Sequence, residues 1–505
     1  MLLGQPNSSF SPYFAHILFL YSSLRNALIK LISAKQQERE MSPSAMIKSW
    51  QKNQYFEASS SRFKLSTAYT LLLPLPFIAT LFLSLDFNGY YFAAISFMNL
   101  LAMMAFYLQF PLAGRIKNIP LFANIDWSMT QHKQVGKALA LVFLLHPILI
   151  LAPRFMASTD DGLTSLRAIV TSPNTLSGIV AYLLMLVWIT LSIFKDKLRI
   201  RYETWRVLHV VGFMLIAILA TSHITSIGSH SQFNSRFEWL WWSLCALSLL
   251  GTAYNYFIKP AKLKHRPFTL ESVERVSSRD WQLTLTAPEN ANFSFEAGQF
   301  VWLSTSDNRF GLQDHPFSIA SSATQLPSLS FIIRELGDYT STLDQLLTGQ
   351  EVYVDGPYGS LDLNASNQAK GITLIAGGAG IAPMLSLLRA LADKADPRPI
   401  RLIYAAKNST QLVMQNEIND FELTMPNFKQ QRVCEELLNE ELSSGDSTKQ
   451  GFVDIDIIRS TIAPQQLRDW AVYVCGPEPM MEPVGKALTA LQIRKSNIHF
   501  EQLSF

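Results

Sequence analysis

The hydrophobic and polar positions of this chain fall into two regimes that meet near Ile258. Before it, apolar residues run in blocks of about the 20 residues that a helix needs to cross a bilayer. Six blocks read as spans: 65–85, 91–110, 132–151, 176–194, 207–225 and 239–258. A further stretch, 13–32, is broken by Arg25 and Lys30 and suits a helix lying on the membrane surface. After a Lys- and Pro-rich linker at 259–267 the period shortens. Segments 281–286 and 298–303 alternate as short strands between turns, which predicts an antiparallel barrel. From Ile372 onward, strands (372–376, 400–405, 471–475) alternate with helices (384–392, 482–491), the pattern of a doubly wound parallel sheet. The expected fold is multidomain. A cytoplasmic or interfacial segment (1–60) precedes a six-helix transmembrane bundle (61–258), an antiparallel β-barrel (268–367) and an α/β parallel-sheet domain (368–505).

Basic residues in the short loops set the orientation. Arg115, Lys117 and Lys133 precede the third span, Lys195, Lys197, Arg199, Arg201 and Arg206 separate the fourth from the fifth, and Lys259, Lys262, Lys264 and Arg266 follow the sixth. The opposite loops hold only Arg154, Arg167 and Arg236 among Asp86, Asp160, Asp161 and Glu238. A multi-pass protein of the plasma (inner) membrane is expected, embedded in the lipid bilayer with both termini cytoplasmic. A net charge of +3 with no basic run excludes nucleic acid as a partner. The three cysteines (Cys245, Cys434, Cys475) are too far apart for a CxxC pair, which argues against a disulfide framework or thiolate metal site.

Four of the nine histidines form two pairs with one spacing. His132 and His146 lie on the third span, His209 and His223 on the fifth, each pair fourteen positions apart. In an α-helix that step rises about 21 Å and turns through about 1400°, close to four full turns. Each pair therefore shares a helix face, with one member near each membrane surface. Both spans run outward, so His132 is expected to meet His209 on the inner side and His146 to meet His223 on the outer side. Two imidazoles facing at one level are what a six-coordinate haem iron requires, and ionisable groups within a span are costly and by default functional. Four separately hydrogen-bonded histidines are the plainer alternative.

The segments His132-Lys133-Gln134-Val135-Gly136…His146-Pro147 and Tyr202-Glu203-Thr204-Trp205-Arg206-Val207-Leu208-His209…His223 resemble the ferric reductase and NADPH oxidase superfamily. The resemblance implies two b-type haems, with these four histidines as metal ligands. Lys133 and Arg206 then suit haem propionates, or equally serve as positive-inside anchors.

The soluble half carries further motifs. His315-Pro316-Phe317-Ser318 resembles the flavin motif of the ferredoxin–NADP reductase superfamily, which implies FAD with Phe317 against the isoalloxazine and Ser318 at its polar edge. Arg334-Glu335-Leu336-Gly337-Asp338-Tyr339-Thr340 is similar to the second flavin motif. There Gly337 permits close approach, a helix start at Thr340 offers unpaired amides to the pyrophosphate, and Arg334 adds a phosphate-pairing charge. Gly377-Gly378-Ala379-Gly380-Ile381-Ala382-Pro383 runs from strand to helix, as a nicotinamide-pyrophosphate loop requires. By the same resemblance Cys475-Gly476-Pro477 borders the nicotinamide, Cys475 helps orient hydride transfer, and terminal Phe505 covers the flavin and must move aside. The turn Gly356-Pro357-Tyr358-Gly359 joins two subdomains in such proteins. Lys407, with Ser409, fits the 2′-phosphate of NADPH; a solvated lysine and NADH are the alternative.

Together these imply an oxidoreductase moving electrons from cytoplasmic NAD(P)H through FAD and two haems to an acceptor across the membrane. Ferric iron or a ferric chelate is the favoured acceptor. Reduction of oxygen to superoxide is the alternative, weakened because the arginine and histidine of the eukaryotic oxidases are replaced around Leu85 and at Ile150. His230 and Asp160-Asp161 in the outer loops suit either a metal ion or ordinary loop polarity. A membrane-tethered flavin reductase without electron-transferring haem is a further alternative.

Overall fold

The structure, a computed structural model, describes residues 67, 69–82, 89–115, 125–197, 200–227, 235–289, 292–305, 314–359, 361–437, 448–462 and 469–501. Segment 1–60, His230 and Phe505 lie outside the described residues.

With no water to pair with the backbone inside a bilayer, the apolar blocks satisfy their own amides as helices. Helix α1 (Leu75–Phe82) is followed by α2 (Gly89–Ala113), α3 (Ile125–Ala157), α4 (Thr159–Thr171), α5 (Pro173–Ile193), α6 (Tyr202–Ile227) and α7 (Ser235–Ala253). Four stretches, all of α2, α5 and α6 together with residues 128–157 of α3, are long and apolar enough to cross a membrane. Each is apolar on most sides: Leu141, Ile148, Leu183 and Val211 face outward, while Met103, Phe106, Ile216 and Trp241 form the bundle core. That distribution belongs to helices surrounded by lipid.

Two segments depart from the pattern reading. The connection between α3 and α5 is helical over α4, capped by Ser158, whose Oγ accepts from the Asp161 amide at 3.0 Å. Asp160 and Asp161 sit in its first turn, where a negative charge complements the helix dipole. The linker after α7 is also helical. A π-helical turn, Tyr254–Ile258, leads from α7 into α8 (Lys259–Lys264), with Pro260 in the first turn, where its missing amide costs nothing.

Six strands follow: β1 (Phe268–Arg275), β2 (Asp280–Thr286), β3 (Phe300–Ser304), β4 (His315–Ser318), β5 (Ser328–Arg334) and β6 (Glu351–Tyr358). They form one antiparallel sheet in the order β4-β3-β6-β1-β2-β5 around a core that includes Leu270, Leu283, Val301, Phe331 and Val352. The last third contains β7 (Gly371–Gly377), α9 (Ile381–Asp393), β8 (Ile400–Ala406), α10 (Gln415–Thr424), β9 (Phe428–Cys434), β10 (Lys449–Gln450), α11 (Ile455–Thr461), β11 (Trp470–Cys475), α12 (Glu478–Ala490) and β12 (Ile498–Glu501). Its parallel sheet runs β10-β9-β8-β7-β11-β12, with every pairing parallel. Strand order reverses between β7 and β11, and ligands of open α/β sheets bind beyond the carboxyl ends of the strands at such a reversal.

Candidate functional site

The two loops at that reversal are the ones the sequence singles out. After β7, Gly377–Gly380 turn directly into α9; after β11, Cys475-Gly476-Pro477 lead into α12. The loops abut. A Cβ on Gly380 would stand 2.2 Å from the Cys475 carbonyl oxygen, and one on Gly476 would stand 2.4 Å from the Met480 methyl. Gly378 has φ +53° and lies against the Arg334 guanidinium. Gly380 is therefore required by backbone contact between the two loops, whereas Gly378 is favoured by its positive φ and Gly476 meets only the flexible end of Met480. Pro383 is buried in the first turn of α9, and Cys475 is buried at the end of β11 without a disulfide. Lys407, beyond β8, is exposed and lies 3.5 Å from Glu436.

In the barrel, His315, Pro316, Phe317 and Ser318 are β4 itself. The His315 ring stacks on Tyr339 at 4.0 Å, and Phe317 lies parallel to the same ring at 6.2 Å. Tyr339 thus joins the aromatic surface; its aromatic character beside Gly337 was the available signal. Arg334 is already paired, donating to Asp280 through Nε at 2.8 Å and Nη2 at 3.0 Å. Asp280 is fully buried, so Arg334 is pinned to β2, with its guanidinium held beside Gly378, instead of projecting freely. The helix start expected at Thr340 is a six-residue 3-10 turn. Its Oγ1 accepts from the amides of Leu336 and Gly337, at 2.8 and 3.0 Å, so those two donors are engaged.

In the membrane region the His132 and His209 rings face each other with centroids 6.2 Å apart. Helix α3 packs against α2 and α4, and α6 against α5 and α7, while α3 and α6 make no extensive backbone contact with each other among the described residues. The donor chemistry selects one tautomer. His132 Nδ1 can only donate to the Gln109 carbonyl, 3.3 Å away. His209 Nδ1 lies 3.3 Å from Ser192 Oγ, whose own proton goes to the Trp188 carbonyl at 2.8 Å. Both rings therefore hold their proton on Nδ1 and present Nε2 as a lone pair, the arrangement that orients a metal-ligating histidine. With metal–imidazole bonds of about 2 Å each, the 6.2 Å spacing fits an iron between the two rings.

At the second level His146 Nδ1 lies 2.9 Å from Asn99 Nδ2, while Asn99 Oδ1 has no hydrogen-bond partner among the described residues. Exchanging the amide's O and N, which look alike, lets His146 Nδ1 donate to Oδ1 and frees its Nε2 as well. Among the described residues His223 Nδ1 has no hydrogen-bond partner, and it lies where a Cβ on Gly178 would approach to 2.3 Å.

Sequence reasoning missed a cluster at the junction of barrel and bundle. Asp314, the residue before β4, pairs with Arg115 after α2 and with Arg206 in the first turns of α6, the latter at 2.6 Å. Asp355 on β6 pairs with Lys259 at 2.8 Å and Arg115 at 3.2 Å. The Trp302 ring lies 4.4 Å from the Arg115 guanidinium carbon, and Tyr358 accepts from Lys259 Nζ at 2.7 Å. Burial pushes the Asp314 carboxyl up, but Arg115 and Arg206 outweigh it and hold it below 3.8. Arg206 is thus an ion-pair partner of the barrel, whereas Lys133 is exposed. The Gly356–Gly359 turn likewise meets the bundle through Tyr358. No periodicity marks such a cluster; its partners lie 96–240 positions apart in the chain.

Helical membrane region, flavin strand and nucleotide crevice together define a membrane-bound, NAD(P)H- and FAD-dependent oxidoreductase. Residues 92–220 match the ferric reductase like transmembrane component, 268–362 an FAD-binding domain and 374–486 the oxidoreductase NAD-binding domain. The chain is a ferric reductase-type transmembrane component fused to FAD-binding and NAD-binding oxidoreductase domains, and an integral multi-pass membrane protein. It is 26% identical over 264 residues to the reductase component of propane 2-monooxygenase from Mycolicibacterium smegmatis, covering 52% of this chain and 74% of that one. It is 29% identical over 215 residues to the flavohemoprotein of Rhizobium meliloti, covering 41% of this chain and 52% of that one. Among solved structures, the flavohaem-like FAD/NAD binding domain of a Vibrio cholerae nitric oxide dioxygenase aligns with 47% of this chain and 97% of its own, at 21% identity and TM-score 0.41.

Proposed function

We propose that this protein carries electrons from cytoplasmic NAD(P)H, through FAD, to two b-type haems and on to ferric iron or a ferric chelate across the membrane. In balance, one NAD(P)H and two ferric ions yield NAD(P)⁺, one proton and two ferrous ions. The observation that carries this reading is the His132–His209 pair: two rings with centroids 6.2 Å apart on two different helices, each with Nδ1 bonded elsewhere. Haem, where bound, supplies one-electron transfer, and FAD supplies the conversion from two-electron hydride to single electrons. In this reading six spans enclose both sites, and both termini and the soluble half are cytoplasmic at the plasma (inner) membrane.

The chain's own residues have the following roles. His132 with His209, and His146 with His223, present imidazole nitrogens at two levels. Gln109, Ser192 and Asn99 hold three of those rings in the ligating tautomer. His315, Pro316, Phe317, Ser318 and Tyr339 provide the flavin surface, and Gly337 and Thr340 shape the phosphate turn, with Arg334 behind it. Gly377, Gly378, Gly380, Pro383, Gly476 and Pro477 form the nicotinamide crevice; Cys475 orients the ring, Phe505 covers the flavin, and Lys407 favours NADPH.

A reduced-minus-oxidised spectrum of the purified protein tests the reading: b-type bands are expected, halved in His146→Ala/His223→Ala. Unchanged haem content in that variant would sink the two-haem assignment. Ferric citrate should be reduced faster than oxygen, with superoxide dismutase as the control. Ile150, where the oxidases carry a histidine, favours iron over oxygen.

A further inference from the structure

We propose that Asp314 and Asp355 form an interdomain clamp that positions the flavin strand on the membrane helices and thereby governs electron departure from the flavin, leaving hydride arrival untouched. The role in electron departure rests on the electron path proposed above.

The argument is one of connectivity and burial. Asp314 immediately precedes His315, and its partner Arg206 lies three residues, about one helical turn, before His209. A single ion pair therefore links the flavin strand to the helix that bears an inner-level histidine. Asp355 adds a second link from β6, two strands away in the sheet, and Arg115 spans both carboxylates. The side chains are 7–14% exposed, so they are withdrawn from solvent and weakly screened by salt. Glu203, in the first turn of the same helix, lies 3.7 Å from His315 Nε2 and points the same way. Neutralising Asp314 leaves the Arg206 guanidinium, and neutralising Asp355 the Lys259 ammonium, uncompensated at low dielectric, so the two surfaces must part or admit water. The nucleotide crevice is held by other groups: Ser386 donates to the Ser321 carbonyl at 2.7 Å and Arg389 to the Ala320 carbonyl at 2.9 Å. Asp314 and Asp355 are thus positioning residues.

The experiment uses full-length protein in nanodiscs and compares Asp314→Asn and Asp355→Asn with native protein. Flavin reduction by NADPH in stopped flow, and NADPH-driven ferricyanide reduction, are expected within about twofold of native. Electron flow from reduced flavin to the membrane side should slow at least about tenfold, as small misplacements do. Hydrogen exchange at 110–115 and 202–206 should rise in both variants, a readout that requires no haem. Lys259→Gln should reproduce the Asp355→Asn effect and Lys259→Arg should reverse most of it, which separates positioning from misfolding. Unchanged exchange at both segments, or equal slowing of flavin reduction, overturns the clamp. Loss of the b-type spectrum in native protein would overturn the electron path, while the exchange measurement would still decide the clamp.

Discussion

Toward the membrane the barrel offers two carboxylates to Arg115, Arg206 and Lys259; toward the nucleotide domain it offers two backbone carbonyls to Arg389 and Ser386. The apolar contacts differ in the same sense. Ala320 and Ile332 of the barrel share one core with Leu374, Leu387 and Tyr404 of the nucleotide domain, whereas among the described residues a small cluster of Phe300, Trp302 and Tyr358 meets Ile125 and Met129 of α3. A continuous core makes barrel and nucleotide domain one cooperative unit, as hydride transfer between two bound cofactors demands. An ionic junction with little shared core is a docking surface, whose strength depends on a few charges. The difference teaches that the two halves of the electron path can be disturbed separately.

Gly380→Val should break the cooperative unit most severely. Its side chain would collide with the Cys475 carbonyl at 2.2 Å, a backbone atom that cannot move aside. Flavin reduction by NADPH should fall at least about 100-fold, as misplaced reacting groups do; a stopped-flow rate within a few-fold of native would contradict the loop-contact account. Arg389→Ala is next. It removes the partner of Glu417, whose two oxygens accept from Arg389 at 2.7 Å each, and leaves the buried Ala320 carbonyl short of a donor. Because Glu417 is partly exposed, a loss of about 3 kcal/mol is expected, at the low end for a broken buried pair. Denaturant unfolding of the soluble half checks this, and Asp314→Asn should leave that transition in place.

The pH dependence separates the faces further. Burial lowers the His499 pKa from 6.5 to about 4, with Asp362 opposing. The unfolded chain therefore binds a proton that the native fold refuses between those values. His499 costs nothing above pH 6.5 and lowers stability progressively as pH falls toward 4. Asp314 runs on a different window: its native carboxyl stays ionised below 3.8, so its contribution persists to that point and is lost only in stronger acid. Replacing His499 with Phe, which keeps the stack on Tyr473, should flatten the melting temperature between pH 6.5 and 4 by about a few degrees. An unaltered slope would show that His499 is not what titrates. The smallest effect is expected from salt. Raising ionic strength from about 0.1 to 0.5 M should change flavin-to-membrane transfer less than about twofold, because the clamp is buried; a steep dependence would mean the surfaces meet through exposed charges.

What could be read in advance followed from local rules. A fourteen-residue step sets two histidines on one helix face whatever surrounds it, and the inner-level pairing of His132 with His209 is present in the structure. The glycine loop after β7 was legible because a strand-to-helix turn with so many glycines has few structural uses. Asp280, Asp314, Asp355 and Asn99 were not legible, since each acts through a partner 47 to 240 positions away, and a lone Asp or Asn looks the same in a solvated loop. The helical form of the linker was not legible from its lysines and prolines; Lys259 is drawn to Asp355 and Tyr358, and Pro260 falls in the first turn of α8.

The sequence by itself determined which segments are apolar enough for lipid, which helix faces carry imidazoles and where phosphate-sized turns occur, because helix period, hydropathy and glycine geometry act within a few residues. Only the tertiary structure decided the Nδ1 partners of His132 and His209, the pairing of Arg334 with Asp280 and the seating of the flavin strand on the bundle. These are set by charges and hydrogen bonds between distant segments, whose energies exist only once folding has removed the water between them.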